Sequence, residues 1–296
     1  MKVVFLGTSS MVPTKKRNHT SQIIFHKGEG ILVDCGEGTQ RQFKLARIRP
    51  CRITKILITH WHGDHVLGLP GLIQTLGQEE YSETLHIYGP KGSKTHFANI
   101  VAAFQLDLRL KVEVHEVSQG QFFENKWFFL SAMPLKHSTP CLAYRFQEKD
   151  TRRIKISKIK KLGIPYGPII GKLQSGNIIV HKGKKILPSD VSNLQKGKSI
   201  CLILDTVFIP ECAIFAKECD LLICEATFAE EHSDKARKYK HLTARQAGKI
   251  AKTAKTKQLI LTHFSQRYKT TSKLIKEAKE VFSKVKAAKD FLELEL

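Results

Sequence analysis

The stretch Thr59-His60-Trp61-His62-Gly63-Asp64-His65 puts four potential metal ligands into six residues. Composition alone would produce His-x-His-x-Asp-His in about one chain of this length in a thousand. Neutral imidazoles mixed with a carboxylate suit zinc or manganese, whereas calcium takes oxygen ligands. On an extended segment His60 and His62, two residues apart, point the same way toward one ion. Asp64 and His65, just beyond the bend, turn toward a second. A single histidine here would read as a surface or satisfied core side chain; the set of four reads as a metal centre.

Such ligands must be delivered by rigid elements. Ile56-Leu57-Ile58 precedes the cluster and Val66-Leu67-Gly68-Leu69-Pro70-Gly71-Leu72 follows it, so it sits where a buried strand ends and a loop turns into a helix. Open sheets carry their chemistry at such places. Upstream, 2–7, 21–25 and 30–34 read as strands, the last two a hairpin, and the glycine-rich turn Asp34-Cys35-Gly36-Glu37-Gly38 lets backbone approach the metal loop. Downstream, helices over 71–78 and 94–104 alternate with strands over 85–90, 112–117 and 121–130. The succession predicts an α/β sandwich with helices outside.

Thr-His-x-His-x-Asp-His followed by Gly-Leu-Pro-Gly-Leu resembles the signature of the metallo-β-lactamase superfamily, and particularly of its tRNA 3′-processing endoribonucleases, the ribonuclease Z (tRNase Z) family. The resemblance implies a four-layer αββα sandwich, a single domain over 1–296. It aligns His137, between a strand and the loop Ser138-Thr139-Pro140, with the next zinc ligand. Three later apolar runs each end in a polar group: Ile200-Cys201-Leu202-Ile203-Leu204 in Asp205, Leu221-Leu222-Ile223-Cys224 in Glu225, and Leu259-Ile260-Leu261-Thr262 in His263. A buried strand ending in Asp205 has the form of a bridging ligand. On this reading His60, His62 and His137 hold one zinc ion, Asp64, His65 and His263 the other, and Asp205 is shared; manganese is the other ion the set admits. Asp64 doubles as general base, and His241, oriented by Glu225, is the general acid. His86, His96, His115, His181 and His232 have no such setting and are assigned to surface or packing roles. The chain departs from the family at Leu242 (usually Ser), Cys224 (usually His) and Leu204 (usually Gly), taken as packing changes.

The charge balance bears on the substrate. There are 49 Lys and Arg against 27 Asp and Glu, a formal +22, more than solubility requires and of the sign that meets nucleic acid. Eleven Lys or Arg and one Asp fall within 149–185. Ile154, Ile159 and Leu162 offer only a narrow apolar stripe there, which predicts a flexible basic arm that projects from the core. By resemblance this arm grips tRNA away from the active site, through Gly167-Pro168 and through Arg152, Arg153, Lys155, Lys158, Lys160 and Lys161. The loop Pro13-x-Lys15-x-Arg17-Asn18 matches one tied to the tRNA 3′ end, with Lys15 and Arg17 approaching the acceptor stem and Asn18 holding the loop. Ser265 and Arg267 are placed to hold phosphate oxygens.

The expected partners are precursor tRNA and a second copy of the chain. No apolar run is long enough to span a bilayer, the start shows no signal-peptide pattern, and the seven scattered cysteines lack a Cys-x-x-Cys pair, which together predict a cytoplasmic protein. The alternative is a hydrolase of a small phosphodiester or thioester on the same metal motif. A helix over 272–286 and a strand over 290–296 are expected to close the chain.

Overall fold

In the computed structural model, which describes residues 1–104, 106 and 109–296, two seven-stranded sheets lie face to face. The first is built from β1 (Lys2–Gly7), β2 (Ser21–His26), β3 (Glu29–Val33), β4 (Ile53–Leu57), β5 (Leu85–Gly89), β6 (Val112–Glu116) and the terminal β18 (Glu293–Glu295), in the order β18-β1-β2-β3-β4-β5-β6. The second holds β7 (Gly120–Glu124), β8 (Phe128–Leu135), β9 (Cys141–Glu148), β14 (Ser199–Ile203), β15 (Leu221–Glu225), β16 (Leu259–Thr262) and β17 (Val285–Ala287), in the order β17-β16-β15-β14-β9-β8-β7. In each sheet four strands run parallel: β3 to β6 in one, β14 to β17 in the other.

Period-2 alternation divides the core. In β3, Ile31 and Val33 face the other sheet, where Phe5, Phe128 and Tyr144 fill the middle layer, while Leu32 faces outward to helices. That outer layer is closed by α1 (Thr39–Leu45), α3 (Leu69–Gln78) and α4 (Ser93–Ala103). Leu69, Leu72, Ile73 and Leu76 of α3 recur at the spacing of one helix face and are all buried. On the far side the second sheet is covered by α8 (Glu211–Phe215), α10 (Ala244–Ala254) and α11 (Ser272–Lys279). A capping box between Thr243 and Gln246 starts α10. Its small inward residues allow close approach to α11: a Cβ on Gly248 would stand 2.8 Å from the Ala278 carbonyl oxygen. The result is the expected αββα sandwich. Among the described residues no cysteine is bonded to another, and only Cys51 is exposed.

The structure differs from the sequence expectation near the C-terminal end, where the strand expected over 290–296 is only Glu293–Glu295, and in the basic insert. The expected helix over 272–286 stops at Lys279, because Val285 turns inward to pair with Leu259 at the start of β17. The basic insert has more structure than its stripe suggests. It contains β10 (Thr151–Ile154), α5 (Ile156–Lys161), α6 (Pro168–Gln174), β11 (Ile179–His181), β12 (Lys184–Ile186), α7 (Pro188–Val191) and β13 (Ser192–Gln195), and it closes beyond residue 185 where β13 pairs with β10. Ile159, Ile164, Leu173, Ile179, Ile186 and Val191 form a small core of their own. No single element displays that core, so its apolar residues are invisible to helical periodicity.

Candidate active site and metal centre

The parallel strands of both sheets end on the same rim. The β4–α2 loop carries His60 and His62, and the short helix α2 (Gly63–Val66) carries Asp64 and His65. The β8–β9 turn brings His137, His263 follows β16 directly, and Asp205 follows β14 after Leu204. Asp34, Asp205 and His263 all have left-handed backbone, at φ 56°, 47° and 58°. Non-glycine residues adopt that conformation at a cost, held by their surroundings. The glycines named from sequence have separate tasks. A Cβ on Gly36 would meet the Asp64 carbonyl oxygen at 2.4 Å, so Gly36 is what admits the metal loop, while Gly38 (φ 77°) lies against the Asn18 side chain.

The seven expected ligands come together. Donor atoms of His60, His62, His137 and Asp205 lie within 4.8 Å of one another, as do those of Asp64, His65 and His263. His60 Nε2 is 2.9 Å from His62 Nδ1, and His137 Nε2 is 3.3 Å from the same atom. His65 Nε2 and His263 Nε2 are 3.2 Å apart, each 3.5 Å from Asp64 Oδ2. Asp205 sits between the groups, with Oδ2 3.6 Å from both His60 Nε2 and His65 Nε2 and Oδ1 3.3 Å from His263 Nε2.

Three observations test whether a metal fits. Ligand atoms around a tetrahedral zinc with bonds of about 2.0–2.1 Å stand about 3.3–3.4 Å apart, close to the spacings here. Asp205 Oδ1 is buried and accepts no hydrogen bond, a costly arrangement for a carboxylate oxygen unless a cation meets it. Burial disfavours charge on His65, yet Asp34, Asp205 and Asp64 outweigh it and raise this imidazole well above its ordinary range. The same field attracts a metal cation. The residues therefore fit a binuclear metal site.

Residues that sequence reading did not single out hold the ligands in place. Asp34 Oδ2 accepts from His65 Nδ1 at 2.7 Å, and the same carboxylate accepts from the Thr59 amide and hydroxyl. Thr227 Oγ1 lies 3.0 Å from His263 Nδ1 and donates to Glu225 Oε2. The Met11 amide donates to Asp64 Oδ2 at 2.8 Å. Each fixes which nitrogen or oxygen faces the centre. Asp34 ends an apolar strand as Asp205 does, which is the signal that could have found it; nothing local marks Thr227 or the Met11 amide.

His241 Nδ1 is 3.0 Å from Glu225 Oε2 and 3.9 Å from Asp205 Oδ2. Because Nδ1 is taken by Glu225, Nε2 is the nitrogen left for the cavity. Burial opposes a proton here, but the Glu225 and Asp205 carboxylates prevail and the imidazole is pushed up to about 9. Glu225, fully buried, also accepts from the Thr206 amide at 2.8 Å. The departures Leu242, Cys224 and Leu204 are all fully buried packing residues.

A cavity of about 460 Å³ opens over the cluster, lined by His62, Asp64, His137, Asp205 and His241 together with Ser265 and Arg267. Arg267 lies over the Phe228 ring at 5.1 Å, and its Nε donates to Ser265 Oγ. Lys15 is exposed at the tip of its loop. Arg17 is turned inward, its Nη2 donating to the carbonyls of Tyr268 and Ser265, and Asn18 ties the loop to the Glu37 carbonyl and, through its own amide, to Asp290. Arg153, Lys158, Lys160, Lys161, Gly167 and Pro168 are exposed on the insert, whereas Arg152 and Lys155 are partly buried. None of these eight lines the cavity. Among the described residues no helix is long and apolar enough to cross a membrane.

The chain is similar to known proteins in both sequence and fold. The metallo-beta-lactamase superfamily model matches residues 15–149. Ribonuclease Z of Methanothermobacter thermautotrophicus is 41% identical over 297 residues, covering 100% of this chain and 97% of the relative. That of Picosynechococcus sp. is 40% identical over 302 residues, covering 99% and 95%. The crystal structure of human tRNase Z, short form, superposes with a TM-score of 0.73 at 29% identity, covering 100% of this chain and 99% of the other.

Proposed function

Since the chain belongs to the ribonuclease Z family of the metallo-β-lactamase superfamily, we propose that it is the endoribonuclease that removes the 3′ trailer from precursor tRNA, and that the residues described above perform the cut. The observation that carries this is His241: a proton donor held by a buried carboxylate, beside the ligand cluster and facing the same cavity.

His60, His62 and His137 would hold one metal ion and Asp64, His65 and His263 a second, with Asp205 between them. Two zinc ions there, or manganese, would supply an activated water and neutralise charge developing on the phosphate. Asp64, whose Oδ2 is steadied by the Met11 amide, accepts the water's proton as its oxygen adds to phosphorus. The bond from phosphorus to the 3′-oxygen breaks, and His241 Nε2 gives that oxygen its proton. Glu225 keeps the imidazole protonated and aimed. The products are a 3′-hydroxyl on the tRNA and a 5′-phosphate on the trailer. Ser265 and Arg267 reach phosphate oxygens from the cavity wall, Lys15 attends the 3′ end from a loop that Arg17 and Asn18 hold against the fold, and the basic face of the insert, with Gly167 and Pro168, binds the body of the tRNA by charge. The enzyme works in the cytoplasm as a homodimer, which sedimentation of the purified chain would check.

The test is cleavage of a 3′-extended precursor tRNA mapped to the nucleotide, with chelator and with zinc restored. A single cut beside the discriminator base, lost on chelation and regained with metal, is expected. Metal-dependent hydrolysis of a small phosphodiester or thioester without any cut in the RNA would replace this reading with the small-molecule one.

A further inference from the structure

Among the described residues one group of potential metal ligands lies apart from the active site: His86, Glu113 and His115, whose donor atoms fall within 4.8 Å of one another. Strand pairing produces it. In the parallel ladder His86 is opposite Glu113 and Tyr88 opposite His115, so alternation puts all four on one face while Ile87 and Val114 turn to the helix side. The group stands near the start of β5, away from the strand ends that carry the active site, and on the open edge where β6 is the last strand. The three side chains are 31%, 38% and 39% exposed, which an ion from solvent requires.

The spacing suits a metal. His86 Nδ1 is 3.2 Å from His115 Nε2 and 3.5 Å from Glu113 Oε2, and Glu113 Oε2 is 3.9 Å from His115 Nε2. Tetrahedral zinc asks for about 3.3–3.4 Å between ligand atoms, so movements of about half an ångström complete the set. Two of the three ligands are already oriented. Lys111 Nζ holds Glu113 Oε1 at 2.6 Å and leaves Oε2 toward the histidines, while the Tyr88 ring stacks on His115 at 4.7 Å with 20° between the planes.

We propose that His86, Glu113 and His115 form a further metal site, separate from the active-site pair, for a divalent transition-metal ion such as zinc, with its fourth position open to water. An ion there clips the edge strand β6 to β5.

The test strips the full chain with chelator, titrates it with Zn2+ alone, and reads both the zinc retained per chain and the thermal midpoint. Wild type is expected to hold one equivalent more than His86→Ala or His115→Ala, and Glu113→Gln to hold that equivalent more weakly. The three variants should cleave precursor tRNA at the wild-type rate. Asp205→Asn, which damages only the active-site set, should keep the extra equivalent, so loss of this site and loss of the catalytic pair are told apart. These side chains are on the surface, and an unchanged midpoint in chelator will show that the variants fold. Equal zinc content in wild type and both histidine variants, or an equal zinc-dependent rise in midpoint in all of them, would overturn the proposal.

Discussion

Glu225→Gln isolates what the buried carboxylate does for His241. The substitution keeps the size of the side chain and leaves an oxygen to accept from the Thr206 amide, but it removes the charge 3.0 Å from His241 Nδ1. With Glu225 the imidazole is pushed up to about 9, against an ordinary value of 6.5. A general acid works in its protonated form, which is lost as pH rises through its pKa. At about pH 7.5 roughly 97% of His241 is then protonated in the wild type, and about 9% if the imidazole falls back to its ordinary value. The variant should therefore cleave about ten times more slowly at that pH and almost normally near pH 6. Asp205 still faces the ring at 3.9 Å and will soften the loss. His241→Ala instead removes the acid, costing about 10²–10⁴-fold across the whole range. Single-turnover rates on saturating precursor tRNA, taken as the ratio of variant to wild type at each pH, separate the two patterns because other titrations cancel and product release is not measured. A Glu225→Gln ratio that does not change between pH 6 and 8.5, or His241→Ala cleaving within a factor of a few of wild type, would refute this account of the proton.

Three further outcomes are expected. Asp34→Asn weakens the acceptor 2.7 Å from His65 Nδ1 and should lower metal affinity about 10–100-fold in competition with a chromophoric chelator; unchanged affinity would make Asp34 a purely structural residue. Gly36→Ala sets a methyl group 2.4 Å from the Asp64 carbonyl oxygen and 2.5 Å from His19 Cβ, which should cost about 1–3 kcal/mol in denaturant unfolding, and an unshifted midpoint would contradict the close approach described here. Replacing Arg153, Lys158, Lys160 and Lys161 with alanine should flatten the dependence of tRNA affinity on log salt by about 0.7–0.9 for each phosphate no longer neutralised, leaving turnover of a small phosphodiester unchanged; an equal reduction on both substrates would count against the insert as a binding surface.

Much of the candidate site was legible because its residue types and their places at strand ends are local features of the sequence. Four ligands fall in one motif, and Asp205, Glu225 and His263 each end an apolar strand. What holds the ligands was less visible: Asp34 reads as the close of a hairpin, and Thr227 and the Met11 amide matter only through hydrogen bonds made across the fold. The insert shows the same limit from the side of packing. Six apolar residues scattered over five short elements and a loop make one small core, a pattern that no window of helical or strand periodicity detects. Singly, His86 and His115 read as surface or packing residues, and only strand register brings them together with Glu113.

The distribution of ligands between the two sheets has a consequence for synthesis. His60, His62, Asp64 and His65 belong to the first sheet, whereas His137, Asp205 and His263 arrive with the second. Neither ligand group is complete until strands of the second sheet have been made, so each ion would be held only once both sheets have met. On the function proposed above, the chain would gain its nuclease activity only when one sheet docks on the other.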